Sequence, residues 1–209
     1  RDVTIVNADT AINGGTLSKN LEFRDVSTLG RPGHHGIRFE YAADCLVTGF
    51  DLQSDWRHAL TVNHLVNGCV FSAGSGKYPV EMDHHRDSPF ENLFTDIRSA
   101  TNYNSGGSWC AGPPSGARET FWNLSGSVSV PLFWGHIQTN VIGQVTLWNK
   151  QTPDREWFEN IVNLQPKDLH LAQLAFRRQA KPGRFSSDPL CGDRASWEER
   201  DRARWRVGD

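Results

Sequence analysis

The chain has 209 residues, with 22 basic and 24 acidic side chains and a formal net charge of −2. This length is enough for one domain with a substantial core, and the balanced charge gives no strong field to steer the protein to nucleic acid or an anionic membrane. No apolar run approaches the roughly 18 residues of a membrane-spanning helix. From the charge balance and this pattern we expect neither nucleic acid nor a membrane as a partner.

The first residues already have the pattern of a β-strand, Val3-Thr4-Ile5-Val6. We therefore interpret Arg1 as a processed or truncated start. This interpretation leaves open a partner from the same protein, either an N-terminal fragment or missing coils.

A polar residue that tolerates a tight turn, followed at once by an apolar strand, recurs along the chain. It occurs at Asn20, Asp44, Asn67, Asn92, Asn123, Asn140 and Asn160, at intervals of 24, 23, 25, 31, 17 and 20 residues. A near-constant period of short strands is typical of a solenoid, because each repeat leaves apolar surface that only its neighbour covers.

A second strand comes into register when the repeats are aligned. Residues 35–41, 58–64 and 78–84 alternate apolar and polar side chains, as in a strand with one buried face. The alignment predicts three columns: His35, His58 and Tyr78; Glu40, Asn63 and Asp83; Tyr41, His64 and His84. Equivalent strands must run parallel and are too close for crossover helices. We predict an all-β parallel β-helix over residues 1–165, with an antiparallel sandwich as the alternative.

Three segments depart from the repeat. A loop at about residues 99–116 carries Trp109 and lengthens one coil, and loops of this length in a compact fold are usually functional or disordered. Residues 166–178 have apolar side chains on shared helical faces, a proline near the start and arginines at the end, which predicts a terminal helix. Residues 179–209 are charged and interrupted by prolines, and we interpret them as a tail packing on the solenoid.

The four cysteines leave their pairing open. Cys45 and Cys69 occupy equivalent positions in successive repeats, as two buried thiols or as a disulfide. Cys110 and Cys191 lie in irregular segments, where a bridge between the tail and the loop is plausible.

Several motifs give the chain a family likeness. The Asn- and Asp-led repeats, the unit at 35–45 and the stretches at 83–96, 116–123 and 169–174 resemble the pectate-lyase-like right-handed parallel β-helix superfamily, in an uncharacterised bacterial and fungal branch. The resemblance covers about residues 1–178. It implies a right-handed solenoid and a secreted enzyme that cleaves polysaccharide in a groove on the outer face of the stacked strands. It brings no settled catalytic residues.

Elimination from a uronate needs a base for the C5 proton and groups that neutralise the carboxylate. We predict His84 or His85 as the base, Tyr78 as the partner acid, and Arg86 with Asn63 as neutralising groups. The predicted catalytic set is Tyr78, Glu81, Asp83, His84, His85 and Arg86. The predicted substrate contacts are Glu40, Asn63, His64, Trp109, Arg118 and Glu119. The leading prediction is therefore a lyase acting on a uronate-containing glycan.

Other functions also fit the residues. Hydrolysis needs two carboxyl groups about 5 Å apart for retention or about 6.5–9.5 Å apart for inversion, and Glu81, Asp83 and Glu119 are candidates. A non-catalytic β-helix that binds glycan or joins an assembly is a further alternative. Asp83, His84 and His85 together with His64 offer imidazole and carboxylate ligands, but their spacing matches no zinc motif, so we predict no transition-metal site. Calcium held by carboxylates is left open, because no sequence pattern reports it.

Some of these polar side chains also have a purely structural interpretation. Stacked imidazoles can bond to neighbouring turns, and we interpret His35 and His58 in that way. Arg118 and Glu119 are adjacent in the sequence and can equally form a surface ion pair.

Overall fold

The structure, a computed structural model, describes residues 1–104, 115–126, 129–130, 137–144, 146–147 and 154–179. It contains two compact units, residues 1–172 and residues 173–209. The first unit is a β-solenoid. Of the second, the described part is the last segment of a helix, residues 173–179. No helix among the described residues is long and apolar enough to cross a membrane.

The described strands are short, and a single helix follows them. The strands of the first half are β1 (Val3–Val6), β2 (Thr10–Gly14), β3 (Glu22–Arg24), β4 (Val26–Leu29), β5 (Gly33–Glu40), β6 (Leu46–Thr48), β7 (Asp51–Leu52), β8 (Trp56–Asn63), β9 (Val70–Gly76) and β10 (Val80–His85). The later elements are β11 (Leu93–Asn104), β12 (Thr120–Trp122), β13 (Ser125–Gly126), β14 (Ser129–Val130), β15 (Ile137–Gly143), β16 (Thr146–Leu147), β17 (Asp154–Asn160) and α1 (Leu169–Gln179).

The strands stack into three faces, apart from β14 and β16, which form a separate pair, and every strand pair in the described residues is parallel. The first face contains β1, β4, β7 and the end of β9. The second contains β2, β5, β8, β10, the end of β11 and β13. The third contains β3, β6, the starts of β9 and β11, then β12, β15 and β17. The predicted parallel β-helix is confirmed.

The left-handed corner of each of these coils lies at the repeated polar residue or directly beside it. Asn20, Asp44, Gly68 and Glu91 have φ of 58°, 55°, 62° and 56°, in the left-handed region that Asn, Asp and Gly tolerate best. At Gly68 a Cβ atom would also lie 2.5 Å from Asp44 Oδ1. Asn67 is thus the residue before the corner, and it bridges Ala43 in the preceding coil.

Aromatic rings form a ladder inside the solenoid. Phe39, Phe71, Phe94 and Phe121 come from successive coils and are buried, with centroid separations of 5.6, 4.9 and 5.4 Å. Rings in such contact add to the stabilisation from burying apolar area. The ladder explains why strands of only a few residues stay stacked.

Cys45 and Cys69 lie in the same interior. Both thiols are free and buried, so the interpretation as buried thiols, not the disulfide, describes this pair. Burial raises the pKa of the Cys69 thiol, which keeps it neutral. The predicted bridge between Cys110 and Cys191 lies outside the described residues, as do Trp109 and the tail at 180–209.

Close packing gives a first prediction, at Gly74. A Cβ atom at this position would overlap the ring of Phe50, which is buried. We expect Gly74→Ala to lower the free energy of unfolding by about 1–3 kcal/mol, as overpacked cores do. Gly15 is the matched control, because a Cβ atom there meets nothing within 4 Å. Urea denaturation of both variants checks this, and equal midpoints would contradict it.

The terminal helix begins where an aspartate caps it. The helix runs over Leu169–Gln179, close to the predicted residues 166–178. Asp168 Oδ1 accepts a hydrogen bond of 3.0 Å from the Leu171 amide, as an N-cap does. The other carboxylate oxygen of Asp168 accepts a hydrogen bond from the Ser72 hydroxyl on the third face. This buried contact joins the start of the helix to the solenoid.

Candidate functional site

A cleft of about 360 Å³ lies on the outer side of the second face. It is built from β2, β5, β8, β10 and the corners that follow these strands. The residues that line it are Thr10, His34, His35, Arg38, Glu40, His58, Thr61, Asn63, His64, His85 and Arg86. Five predicted site residues are therefore together in this cleft: Glu40, Asn63, His64, His85 and Arg86.

The strand register decides which side chains meet there. His35 pairs with His58, as predicted, and Glu40 pairs with Asn63. On the next strand Asn63 pairs with His85 and Thr61 with Asp83, so the predicted Glu40, Asn63 and Asp83 column is wrong in its last member. An alternating pattern has a period of two, and a slip of two residues therefore leaves it unchanged. Burial alone cannot detect that slip.

His84 points into the solenoid, so its predicted position in the outer groove is wrong. Its side chain is fully buried, with Nε2 3.3 Å from Glu119 Oε2 and its ring 5.3 Å from the Phe94 ring. Strand β10 continues through His85, so His84 stays on the inner side that Met82 also faces. His84 is therefore out of reach of a substrate lying along the outer surface.

Glu119 is also fully buried, which corrects its prediction as a substrate contact. Its Oε1 accepts a hydrogen bond of 2.8 Å from Asn92 Nδ2, and Asn92 Nδ2 also donates to the Val66 carbonyl. Burial raises the pKa of the Glu119 carboxyl, although His84 opposes the shift.

Arg118 does not pair with Glu119 and instead forms an exposed ion pair of 3.0 Å with Glu91. Neither residue lines the cleft.

Tyr78 lies outside the cleft, before β10, and its predicted column with His35 and His58 is wrong. Its ring is half-exposed, with Lys77 Nζ 5.5 Å from the centroid.

The column of Tyr41 and His64 is confirmed, with rings stacked at 4.8 Å and 11°. Its third member is Arg86, whose carbonyl accepts a hydrogen bond from the His64 amide.

Four imidazoles gather at one end of the cleft. The rings of His35 and His58 stack at 5.2 Å and 27°, and His34 lies 4.2 Å from His35 and 5.3 Å from His58. His85 approaches His58 edge-on at 6.3 Å. The sequence interpretation of His35 and His58 as structural missed this cluster. The signal was present as a His-His pair followed by a histidine at the equivalent position of the next repeat.

Two carboxylates lie beneath these rings. His58 Nδ1 is 3.4 Å from Glu81 Oε2 and 3.6 Å from Asp83 Oδ2. The other oxygen of Asp83 is 3.5 Å from His85 Nδ1. Asp83 is fully buried, whereas the Glu81 side chain is 23% exposed. Glu81 and Asp83 therefore do not line the cleft themselves but contact His58, which does.

The two stacked imidazoles have opposite electrostatic environments. Burial lowers the pKa of His35 to about 4, and the neighbouring His34 and Arg38 act in the same direction. The contact with Glu81 raises the pKa of His58, and Asp83 adds to this effect against the cost of burial. At neutral pH the His35 ring is therefore neutral, while His58 holds a proton more readily than an ordinary histidine.

The opposite end of the cleft carries charged groups of both signs. Arg38 Nη2 is 2.6 Å from Glu40 Oε2, and His64 lies between Glu40 and Asp87. Arg86 lines the same end. Among the described residues, no group of three or more His, Cys, Asp or Glu side chains is arranged to hold a metal ion.

No protein-family model, curated protein or solved structure matches this chain. A parallel β-solenoid can carry many different activities, so the fold alone does not select one. The chemistry of the cleft is what bears on function.

Proposed function

We propose that this protein is a polysaccharide lyase that cleaves a uronate-containing glycan by β-elimination in the cleft of the second face. The stacked pair of His35 and His58 carries this proposal. A neutral imidazole beside one that retains its proton supplies the base and the acid that elimination needs. The resemblance to the pectate-lyase-like superfamily supports the same reaction class.

In the proposed reaction His35 is the general base. Its Nδ1 is 3.0 Å from Thr61 Oγ1, and when Nδ1–H donates to this hydroxyl, Nε2 has the free electron pair. Nε2 removes the C5 proton of the uronate. The C5–H electrons form the C4–C5 double bond, the C4–O4 bond breaks, and the His58 imidazolium protonates the leaving oxygen. His35 thus takes the role that the sequence prediction gave to His84 or His85, and His58 takes the role that it gave to Tyr78.

Arg86 and Arg38 are the proposed partners of the substrate carboxylate. A cation near this group stabilises the negative charge that develops as C5 loses its proton. Glu40 already engages Arg38, so we assign the larger part to Arg86. Adjacent strands lie about 4.8 Å apart, so a cleft across a few coils fits one or two sugar residues. Glycans of this class are extracellular, so the proposal includes secretion.

The burial of the carboxylates disfavours the hydrolase alternative. Hydrolysis requires two carboxyl groups that both reach the scissile bond region. Of the three candidates, Asp83 and Glu119 are fully buried and Glu119 faces the interior. Glu81 alone is partly accessible, and its oxygen is directed at His58.

A panel of acidic polysaccharides tests the proposal. We expect the ultraviolet absorbance of the unsaturated product to rise with at least one uronate-containing glycan, and not with neutral glycans. New reducing ends without that absorbance would indicate hydrolysis. Glycan retention with neither signal would indicate a binding module, and both outcomes contradict the lyase.

The pH profile gives a second prediction. Activity should rise as pH increases through the pKa of His35, about 4, because the base must be neutral. It should fall as pH passes the raised pKa of His58, because the acid must be protonated. Glu81→Gln should move the falling limb to lower pH, since Glu81 is the main cause of that raised pKa. Glu91→Gln, in the surface pair, should leave the profile in place. An unmoved limb in Glu81→Gln would contradict the assignment.

A further inference from the structure

We infer that Asp83 is a positioning residue that orients two imidazoles at once, holding His58 and His85 so that each ring turns Nε2 toward the cleft. The inference rests on the proposed function for its catalytic consequence, although its structural content stands without it. It also changes the predicted role of Asp83, because a carboxylate that is fully buried acts through the rings and does not touch the substrate.

The contacts of Asp83 are divided between its two oxygens. Oδ2 lies 3.6 Å from His58 Nδ1, and Oδ1 lies 3.5 Å from His85 Nδ1. The strand geometry produces this sharing. Asp83 and His85 are two residues apart on β10 and therefore face the same side, while His58 comes from the neighbouring strand β8. One carboxylate is thus placed between rings from two coils.

The chemistry of a buried carboxylate fixes which nitrogen carries the proton. An ionised carboxylate only accepts hydrogen bonds, and in both rings Nδ1 is the atom that approaches it, as a hydrogen-bond contact from His85 and as a charge contact of 3.6 Å from His58, so a proton on Nδ1 is favoured in each. A nearby positive charge or N–H group offsets part of the cost of burying a carboxylate. With Nδ1 protonated, the neutral ring has its free electron pair on Nε2, and both rings line the cleft. Asp83 thereby presents two Nε2 atoms to the cleft, each able to accept a proton when its ring is neutral.

Glu81 makes the two rings experimentally separable. Glu81 Oε2 lies 3.4 Å from His58 Nδ1, which Asp83 also approaches, whereas the carboxylate beside His85 Nδ1 is that of Asp83. Removing the charge at Glu81 should therefore affect His58 and leave His85 alone. Removing the charge at Asp83 should affect both His58 and His85, because a carboxamide offers one acceptor oxygen where the carboxylate offers two.

The test is ¹⁵N NMR of the histidine side chains, recorded without substrate at a pH where the rings are neutral. In the natural protein we expect both His58 and His85 to show the Nδ1–H tautomer. In Asp83→Asn at least one of these rings should change to the Nε2–H tautomer, while in Glu81→Gln the His85 signal should stay unchanged. If either ring of the natural protein has its proton on Nε2, the inference is wrong, and this spectrum decides even where a variant fails to fold.

Activity gives an independent readout of the same residue. Asp83→Asn, shown by circular dichroism to be folded, should lower kcat about 100-fold with little change in KM, because Asp83 does not contact the substrate. Unchanged tautomers in Asp83→Asn would overturn the inference whether or not the protein is a lyase. An inactive natural protein with the expected tautomers would instead overturn the proposed function and leave the orientation by Asp83 standing.

Discussion

Replacing His58 by glutamine should lower turnover on the uronate-containing glycan about 10²–10⁴-fold, the usual contribution of general acid catalysis. Glutamine keeps hydrogen-bonding capacity near Glu81 and Asp83 but cannot deliver a proton to the leaving oxygen. Initial rates of ultraviolet absorbance increase measure the effect. KM should change little, because the lost interaction acts in the transition state.

Matched variants separate this effect from a general loss of histidine. His35→Gln should give a loss of similar size, and the double variant should lose little more, because a base and an acid that act as a unit are not additive. His170→Gln, in α1 and outside the cleft, should keep full activity. Full activity in folded His58→Gln would remove this ring from the reaction.

The sequence was sufficient for the fold because the repeat is a property of spacing. Turn-tolerant residues at Asn20 and Asp44 occupy the left-handed corners, and the alternation of Ile37 and Phe39 marks the buried side correctly. The register between coils was not accessible in the same way. Leu60 pairs with Met82 instead of Val80, and both choices bury an apolar side chain equally well.

That slip explains which site residues were placed correctly. Asn63 and His64 lie at the end of a strand with an easily identified corner, and they do line the cleft. His84 was expected at such a corner, but β10 extends through His85 before it turns. Where a strand ends depends on hydrogen bonds to the neighbouring coil, and no local pattern in this segment reports them.

The buried pair of His84 and Glu119 was beyond sequence reasoning for a different reason. A polar side chain is predicted outside unless its partner is known, and the partners here lie 35 residues apart in the chain. The inserted segment between them also breaks the repeat that would have aligned them. Only the folded coils show that Glu119, His84 and Asn92 meet in one interior position.

Replacing Glu119 by alanine should lower the free energy of unfolding by about 3–5 kcal/mol, because removing one member of a buried interacting pair is strongly destabilising. The change would remove the carboxylate beside His84 and the acceptor for Asn92. Urea denaturation followed by circular dichroism measures the effect. Glu119→Gln should be milder, since its carboxamide oxygen still accepts from Asn92. Glu91→Ala is the surface control and should cost about 0–1 kcal/mol.

The pH dependence of stability distinguishes this burial effect from simple loss of packing. Because burial raises the pKa of Glu119, the folded state holds a proton that the unfolded state has released, between the ordinary carboxyl pKa and the raised one. Unfolding then releases that proton, so this contribution to stability is complete below the unfolded pKa and is lost as pH rises through the folded pKa. Glu119→Gln cannot ionise, so its stability relative to the natural protein should improve as pH rises. A constant difference across that range would show that the Glu119 carboxyl has the same pKa in both states, against the geometry of a fully buried acid.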